Sequence, residues 1–130
     1  MTSPSQYLLD TSAVIDLPTE IEPDAQFLVS SITVAELNAG IHTTASPVER
    51  ASRLARLQWV EALEPLPFTT VASRMYGQVY AMVLAAGRNP RPRRMDLLIA
   101  SIAAAHQLPL ITRNEADFAD LKPLVQVVAL

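Results

Sequence analysis

Short apolar runs alternate with longer amphipathic stretches along the chain, and this pattern is typical of a sheet whose strands are connected by helices. The apolar runs predict buried strands over residues 6–9, 27–29, 108–112 and 125–129. Strands that alternate with helices favour a parallel sheet covered on both faces. We therefore expect an α/β fold, a three-layer α/β/α sandwich with a central, mainly parallel sheet, forming a single domain over residues 1–130.

Helix starts are marked by capping residues. Predicted helices begin near residues 13, 33, 47, 70, 95 and 114 and end near residues 17, 41, 63, 87, 107 and 119. The clearest start is Ser46-Pro47-Val48-Glu49, a capping box with proline at the first helical position. Residues 64–68 hold two prolines and predict a connection or a weak edge strand, because proline cannot donate to a ladder. Residues 88–94 predict a basic loop broken by proline.

Composition excludes several kinds of site. Half of the residues are apolar and only 18% are charged, which favours a folded chain over a disordered one. There is no cysteine, so disulfides, zinc–thiolate sites and cysteine nucleophiles are excluded. The sequence also lacks a glycine-rich phosphate loop and a GxSxG elbow.

The chain has no sequence feature of a secreted or membrane protein. Residues 1–6 contain no Lys or Arg, so the basic flank of a signal peptide is missing. The longest apolar stretch, over residues 97–105, is far shorter than the roughly 20 residues that span a bilayer. We expect a cytoplasmic protein without a membrane partner.

Four carboxylates stand at the ends of predicted strands or the starts of predicted helices. Asp10 closes the first apolar run, Glu36 lies in the first turn of the second helix, Asp96 opens an apolar helix, and Asp117 follows the third strand. In a parallel sheet, strand carboxyl ends and helix amino ends share one edge, where ligands bind. Converging carboxylates repel each other, and a hard divalent cation such as Mg²⁺ or Mn²⁺ relieves this repulsion.

Each acid also has a purely structural interpretation. Asp10 could cap a helix, Glu36 could be the acidic half of a capping box, and Asp96 could complement a helix dipole. Asp117 could pair with Asn114 at the start of a short helix. The joint pattern favours a shared site, because all of these helix starts would have to direct acids toward one crevice.

Charge gives a mixed indication about nucleic acid. The formal net charge is -3, whereas nucleic-acid-binding domains are usually basic. Arginines nevertheless crowd into the segment before Asp96, at positions 88, 91, 93 and 94. This segment could bind a polyanion locally, or it could be an ordinary solvated surface.

Four segments, LLDTSAVIDL, SSITVAELNAGI, RMDLLIASIAAAH and LPLITRNEADF, resemble a PIN domain in their order and spacing, and more narrowly the VapC toxins of bacterial toxin–antitoxin pairs. The similarity extends over residues 7–128. The resemblance implies a metal-dependent ribonuclease that uses Mg²⁺, with Mn²⁺ as a substitute, and that is silenced by a cognate antitoxin. It also implies an RNA substrate and a homodimer.

The resemblance assigns roles to individual residues. Asp10, Glu36 and Asp96 would be the core catalytic and metal-binding acids, and Asp117 the fourth. Supporting polar groups would come from Thr11, Ser12, Thr112 and Asn114. Some PIN proteins carry Asp where this chain has Asn114, which leaves the fourth ligand open.

Arginine pairs well with phosphate, so the cluster before Asp96 and the arginine after the third strand are candidates for holding an RNA backbone. These RNA-binding candidates are Arg91, Arg93, Arg94 and Arg113. A groove beside the helix face from Leu54 to Leu63, with Trp59, could receive an amphipathic antitoxin helix.

The sequence thus predicts metal-dependent cleavage of RNA by a toxin of a type II pair. One rival is an aspartate-nucleophile phosphatase, but such enzymes want a second Asp two residues after the first, where this chain has Ser12. The other is a catalytically silent PIN-like module that only binds RNA or a partner. The intact acid set argues against it, because a silent module has no reason to keep mutually repelling carboxylates.

Overall fold

A parallel sheet of four strands is the centre of the molecule. The computed structural model describes residues 5–130; residues 1–4, part of the amino-terminal segment discussed above, lie outside it. The strands are Gln6–Leu9 (β1), Gln26–Leu28 (β2), Leu110–Thr112 (β3) and Val127–Ala129 (β4). Their order is β2-β1-β3-β4, and every neighbouring pair is parallel. The predicted α/β class with a mainly parallel sheet is confirmed.

The helices follow the predicted order with small shifts at their ends. They are Thr11–Ile15 (α1), Ser31–Ile41 (α2), Pro47–Glu61 (α3), Thr70–Ala85 (α4) and Arg94–His106 (α5). One prediction needs correction, because the basic segment contains a 3₁₀ turn, Arg91–Arg93, and its last arginine already belongs to α5. The predicted short final helix is present as the 3₁₀ helix Glu115–Leu121.

Helix α2 begins earlier than the sequence pattern suggested. The side chain of Ser30 accepts a hydrogen bond from the amide of Thr33 and caps the helix. Glu36 is therefore the sixth residue of α2 and lies in its second turn, so the prediction of a first-turn acid is wrong. The proline-rich connection adds a single parallel bridge, between Leu66 and Ser30, as a weak edge strand would.

Alternation within the strands builds one core on each face of the sheet. Leu8 and Leu110 pack with the buried faces of α4 and α5, whereas Leu9 and Ile111 pack with those of α1, α2 and α3. Because successive side chains of a strand point to opposite faces, two adjacent leucines serve both cores. The sheet is therefore covered on both sides, which confirms the three-layer arrangement.

Helix α5 is the most deeply buried of the helices that the structure describes. Its side chains at Leu97, Ile99 and Ile102 have no exposed surface. Burying one such side chain contributes roughly 1.5–3 kcal/mol. Across residues 5–130, no helix combines the length and the hydropathy that crossing a membrane requires.

Replacing Ile102 by Ala should lower the free energy of unfolding by about 2–5 kcal/mol, because it opens a cavity in the core under the sheet. The control is Val48→Ala on α3, where the side chain is 82% exposed and the change should stay within about 0.5 kcal/mol. Urea denaturation of both variants measures the difference. Equal losses in the two variants would contradict the assignment of Ile102 to the core.

Candidate active site

Asp10 is the structural centre of the acidic edge. It follows β1, caps α1 and is only 3% exposed. Its Oδ1 accepts hydrogen bonds from the Ser12 hydroxyl at 2.6 Å and the Ala13 amide at 2.9 Å, and its Oδ2 accepts from the Thr112 hydroxyl at 2.6 Å. A buried carboxylate is tolerated when its oxygens receive such donors. Asp10 is therefore a helix cap, as its structural interpretation proposed, and it is also held at the carboxyl ends of β1 and β3.

The predicted hydroxyl residues connect Asp10 to the loop after β3. Thr112 donates to Asp10 and accepts from the backbone amide of Asn114 at 2.9 Å. Ser12 donates to Asp10 and accepts from the backbone amide of Arg113 at 3.1 Å. Asn114 takes part through its backbone, and its side chain makes no capping hydrogen bond within the described structure. The interpretation of Asn114 as a side-chain cap is therefore wrong.

Glu36 is tied to α1 through Thr11. The Thr11 hydroxyl donates to Glu36 Oε1 at 2.7 Å and also lies 3.0 Å from the hydroxyl oxygen of Thr33. Thr33 is fully buried, and sequence reasoning did not include it in the site. Its position three residues before Glu36, on the same helix face, was the available signal. The Thr11 hydrogen bond therefore restrains the Glu36 carboxylate beside α1, and Thr33 in turn contacts Thr11.

The pKa of Asp96 shows that the charges of the other three acids reach its carboxyl group. Its pKa is raised from 3.8 to about 6, mainly because the carboxyl is partly buried. The charges of Asp10, Asp117 and Glu36 raise it further, in that order, while Arg93 lowers it. Like charges disfavour ionisation only when they are near. The structure therefore brings the four predicted acids into one electrostatic cluster, here called the acid cluster.

Asp117 is held by an arginine of the preceding 3₁₀ turn. Arg93 Nη2 lies 3.2 Å from Asp117 Oδ1, and Arg93 Nη1 donates to the backbone carbonyl of Asp117 at 3.1 Å. Asp117 lies in the first turn of the 3₁₀ segment Glu115–Leu121, as expected for an acid after β3. Its carboxylate is thus paired within the chain.

The four predicted RNA-binding arginines divide into two kinds. Arg93 contacts Asp117, and Arg113 donates to the carbonyls of Asp16 and Leu17 at 2.7 and 3.2 Å, which ties the end of α1 to the loop after β3. Arg91 and Arg94 are exposed, and their side chains make no hydrogen bond or ion pair with any described residue. RNA binding stays a prediction. Arg91 and Arg94 are the two candidates whose side chains have no partner among the described residues.

The donor set fits a hard divalent cation in chemistry and charge. All of its side chains offer oxygen, and lone pairs remain on carboxylate oxygens that already accept hydrogen bonds. In the part of the chain that the structure describes, however, no three His, Asp or Glu side chains are grouped closely enough to form a ready metal site. The four-ligand set stays a prediction.

The raised pKa of Asp96 predicts a pH dependence of stability. Its folded-state pKa of about 6 exceeds the unfolded value of 3.8, so the folded protein binds more protons between these pH values. Stability of the metal-free protein should therefore be full below the lower value and fall as pH rises through the interval. Partial solvent exposure screens the repulsion and keeps the fall modest.

Asp96→Asn should flatten this decline, because the amide cannot ionise, and Asp24→Asn on the surface should not. Urea denaturation in EDTA across this pH range measures the slope for both variants and the wild type. An unchanged slope in Asp96→Asn would show that ionisation of Asp96 is not the cause of the decline.

Comparison with known proteins identifies relatives along nearly the whole chain. The family model described as PIN domain matches residues 7–122. The chain is 37% identical over 126 residues to Ribonuclease VapC5 of Mycobacterium tuberculosis, covering 92% of this chain and 90% of that protein. It is 30% identical over 128 residues to Ribonuclease VapC4 of the same organism, covering 95% of each.

Solved structures agree with the sequence comparison. The crystal structure of VapBC-5 from Mycobacterium tuberculosis, a member of the VapBC family of toxin–antitoxin systems, matches with a TM-score of 0.86 and 35% identity over 98% of this chain and 100% of that one. FitAcB from Neisseria gonorrhoeae matches with a TM-score of 0.71 and 26% identity, covering 93% and 95%. DNA-bound VapBC from Salmonella typhimurium, with a TM-score of 0.74 over 96% and 98% of the two chains, is 24% identical and shows the shared fold alone. The chain therefore belongs to the PIN-domain family, among its VapC-type members.

Proposed function

We propose that the protein is a metal-dependent endoribonuclease and the toxin of a type II toxin–antitoxin pair. The observation that carries the proposal is the electrostatic convergence of Asp10, Glu36 and Asp117 on Asp96 at the carboxyl edge of a parallel sheet. The relatives named ribonucleases, which this chain matches over nine-tenths of its length, support the same reaction class.

The chemistry of phosphodiester hydrolysis accounts for the acids. A carboxylate-held Mg²⁺ or Mn²⁺ would supply an acidified water and charge stabilisation at the scissile phosphate. The chain contributes the rigid placement of these carboxylates. Asp10 is fixed by three hydrogen bonds, and Glu36 is fixed by Thr11. Asp96, with a pKa of about 6 in the metal-free protein, would give up its proton on binding the ion.

Substrate binding is assigned to the exposed arginines beside Asp96. Arg91 lies in the 3₁₀ turn before α5, and Arg94 is the first residue of α5. A phosphate backbone that reaches the acid cluster would pass these two side chains. Each can pair with a phosphate oxygen at this position.

A groove that starts at the acid cluster is the proposed antitoxin site. One cavity of about 390 Å³ is lined by Thr11, Glu36 and Arg56, among others, and a second of about 440 Å³ shares Ile15 and Arg56 with it. Trp59, 40% exposed, lies in the second cavity. These residues define the α1–α3 groove, whose apolar floor suits an amphipathic helix.

Two features refine the partner proposal. Within α3, Leu57 and Val60 belong to the core, so the groove uses Trp59 and not the whole predicted helix face. Arg56 makes no hydrogen bond or ion pair with any of residues 5–130, whereas Arg53 beside it is paired with Glu49. A partner helix with an acidic residue facing Arg56 would complement this charge.

A homodimer remains part of the proposal, with no face assigned.

Cleavage of RNA by the purified protein should require Mg²⁺ or Mn²⁺ and stop in EDTA. Asp10→Asn and Asp96→Asn should each lower the rate by more than the roughly 10–100-fold that loss of a group supporting a metal ligand costs. The fold should persist, because asparagine keeps the size of the side chain. Cleavage assays with circular dichroism as a check on folding measure both effects.

Asp24→Asn is the control, since its carboxylate is exposed and takes no part in the acid cluster. Full activity in both site variants would refute the catalytic assignment of Asp10 and Asp96. A wild type that binds RNA without cleaving it under any of these metal conditions would favour the silent PIN-like module.

The α1–α3 groove can be tested through its unpaired cation. Arg56→Glu should weaken the complex with the small protein encoded next to this chain's gene at least roughly tenfold, because a like charge would face the partner's acid. Arg50→Glu, on the same helix but bonded to the Thr44 carbonyl outside the groove, should have little effect. Binding titrations measure both.

Cleavage by Arg56→Glu without the partner should equal that of the wild type. A loss of cleavage with intact partner binding would assign the groove to RNA. If no small neighbouring protein binds the wild type, the toxin–antitoxin proposal fails while the nuclease proposal stands.

A further inference from the structure

We propose that Arg93 is the resident counter-ion of the acid cluster: its guanidinium offsets the charge of the metal-free carboxylates and competes at Asp117 with a divalent cation. The competition rests on the proposed metal-dependent function, whereas the counter-ion role concerns the metal-free protein. The sequence predicted RNA binding for this arginine, whereas in the structure its side chain contacts Asp117.

The geometry joins Arg93 to the acid cluster in two ways. Its two terminal nitrogens contact the carbonyl and the carboxylate of Asp117, 24 positions later in the chain. It also precedes α5 directly, three residues before Asp96, and its charge opposes the effect of the three other acids on Asp96. An arginine stays protonated under all ordinary conditions, so its charge is permanent.

The neighbouring ion pair between Arg88 and Asp120 allows this electrostatic role to be distinguished from a purely structural one, in which an arginine only holds two segments together. Arg88 Nη1 lies 3.2 Å from Asp120 Oδ2 and 3.4 Å from the Ala116 carbonyl, so it ties the same two segments together by the same kind of contacts. Neither Arg88 nor Asp120 is among the charged groups that shift the pKa of Asp96, whereas Arg93 and Asp117 both are. Arg88 therefore braces the 3₁₀ segment without acting on the acid cluster, and it is a matched control.

Removing Arg93 changes two properties in opposite directions. Without its positive charge, the metal-free carboxylates repel each other with less compensation, so the folded state should be less stable. The same loss makes the cluster more negative and frees the Asp117 carboxylate, so a divalent cation should bind more tightly. A residue that only positioned Asp117 as a ligand would weaken cation binding when removed.

The experiment compares the wild type, Arg93→Ala, Arg93→Lys and Arg88→Ala. Isothermal titration with Mn²⁺ should give a dissociation constant roughly three- to tenfold lower for Arg93→Ala, the size expected for one nearby charge at a partly exposed site. The ratio should shrink at high salt, because exposed charges are screened. Arg93→Lys and Arg88→Ala should stay within about twofold of the wild type.

Thermal unfolding in EDTA is the second measurement. Arg93→Ala should lower the melting temperature more than Arg88→Ala does, and Arg93→Lys should restore most of the loss. Equal losses in the two alanine variants would overturn the counter-ion role, since bracing alone would then explain both.

Weaker Mn²⁺ binding by folded Arg93→Ala would overturn the competition and make Arg93 a positioning residue. If none of the four proteins binds Mn²⁺, the proposed metal site fails and competition fails with it. The comparison in EDTA would still decide whether Arg93 is the counter-ion.

Discussion

The hydrogen bonding of the buried Asp10 carboxylate is the interaction on which the site depends. The carboxylate receives donors from Ser12, Ala13 and Thr112, and Thr112 lies 102 positions away in the sequence. One side chain thereby caps α1 and joins the carboxyl ends of β1 and β3. Burial of this charge is acceptable only because both oxygens are satisfied, and low local polarity strengthens each hydrogen bond. The edge fixed in this way is where the remaining acids meet.

Charge balance around Asp10 explains why the site is both costly and usable. The neighbouring acids raise the pKa of Asp96, so the metal-free protein carries repulsion that an apolar edge would avoid. Proteins often retain such local conflicts at functional sites. Here one arginine on Asp117 and hydroxyl donors on Asp10 and Glu36 reduce the conflict without removing it. The α1–α3 groove opens beside Glu36, so whatever occupies the groove comes close to the cluster.

The local pattern of the chain was sufficient for much of the architecture. Strand β1 and the start of α3 were predicted correctly, because an apolar run ending in Asp10 and the cap at Ser46 are local signals. Positions of acids relative to strand ends could likewise be predicted, since strand ends and helix starts share one edge of a parallel sheet. Glu36 was placed one turn too early because the predicted helix began near residue 33, whereas in the folded structure Ser30 caps α2.

By itself, the sequence determined the parallel α/β class, the order of elements and the edge at which Asp10 and Asp96 lie. Only the tertiary structure decided which arginines remain available: Arg93 is bound to Asp117, and Arg113 is bound to the end of α1, 96 and 97 positions away. The physical reason is that short-range periodicity fixes the face on which a residue lies, whereas a long, flexible side chain takes its partner from whatever distant segment packs beside it. Contacts of that kind depend on the assembled fold and leave no local trace in the chain.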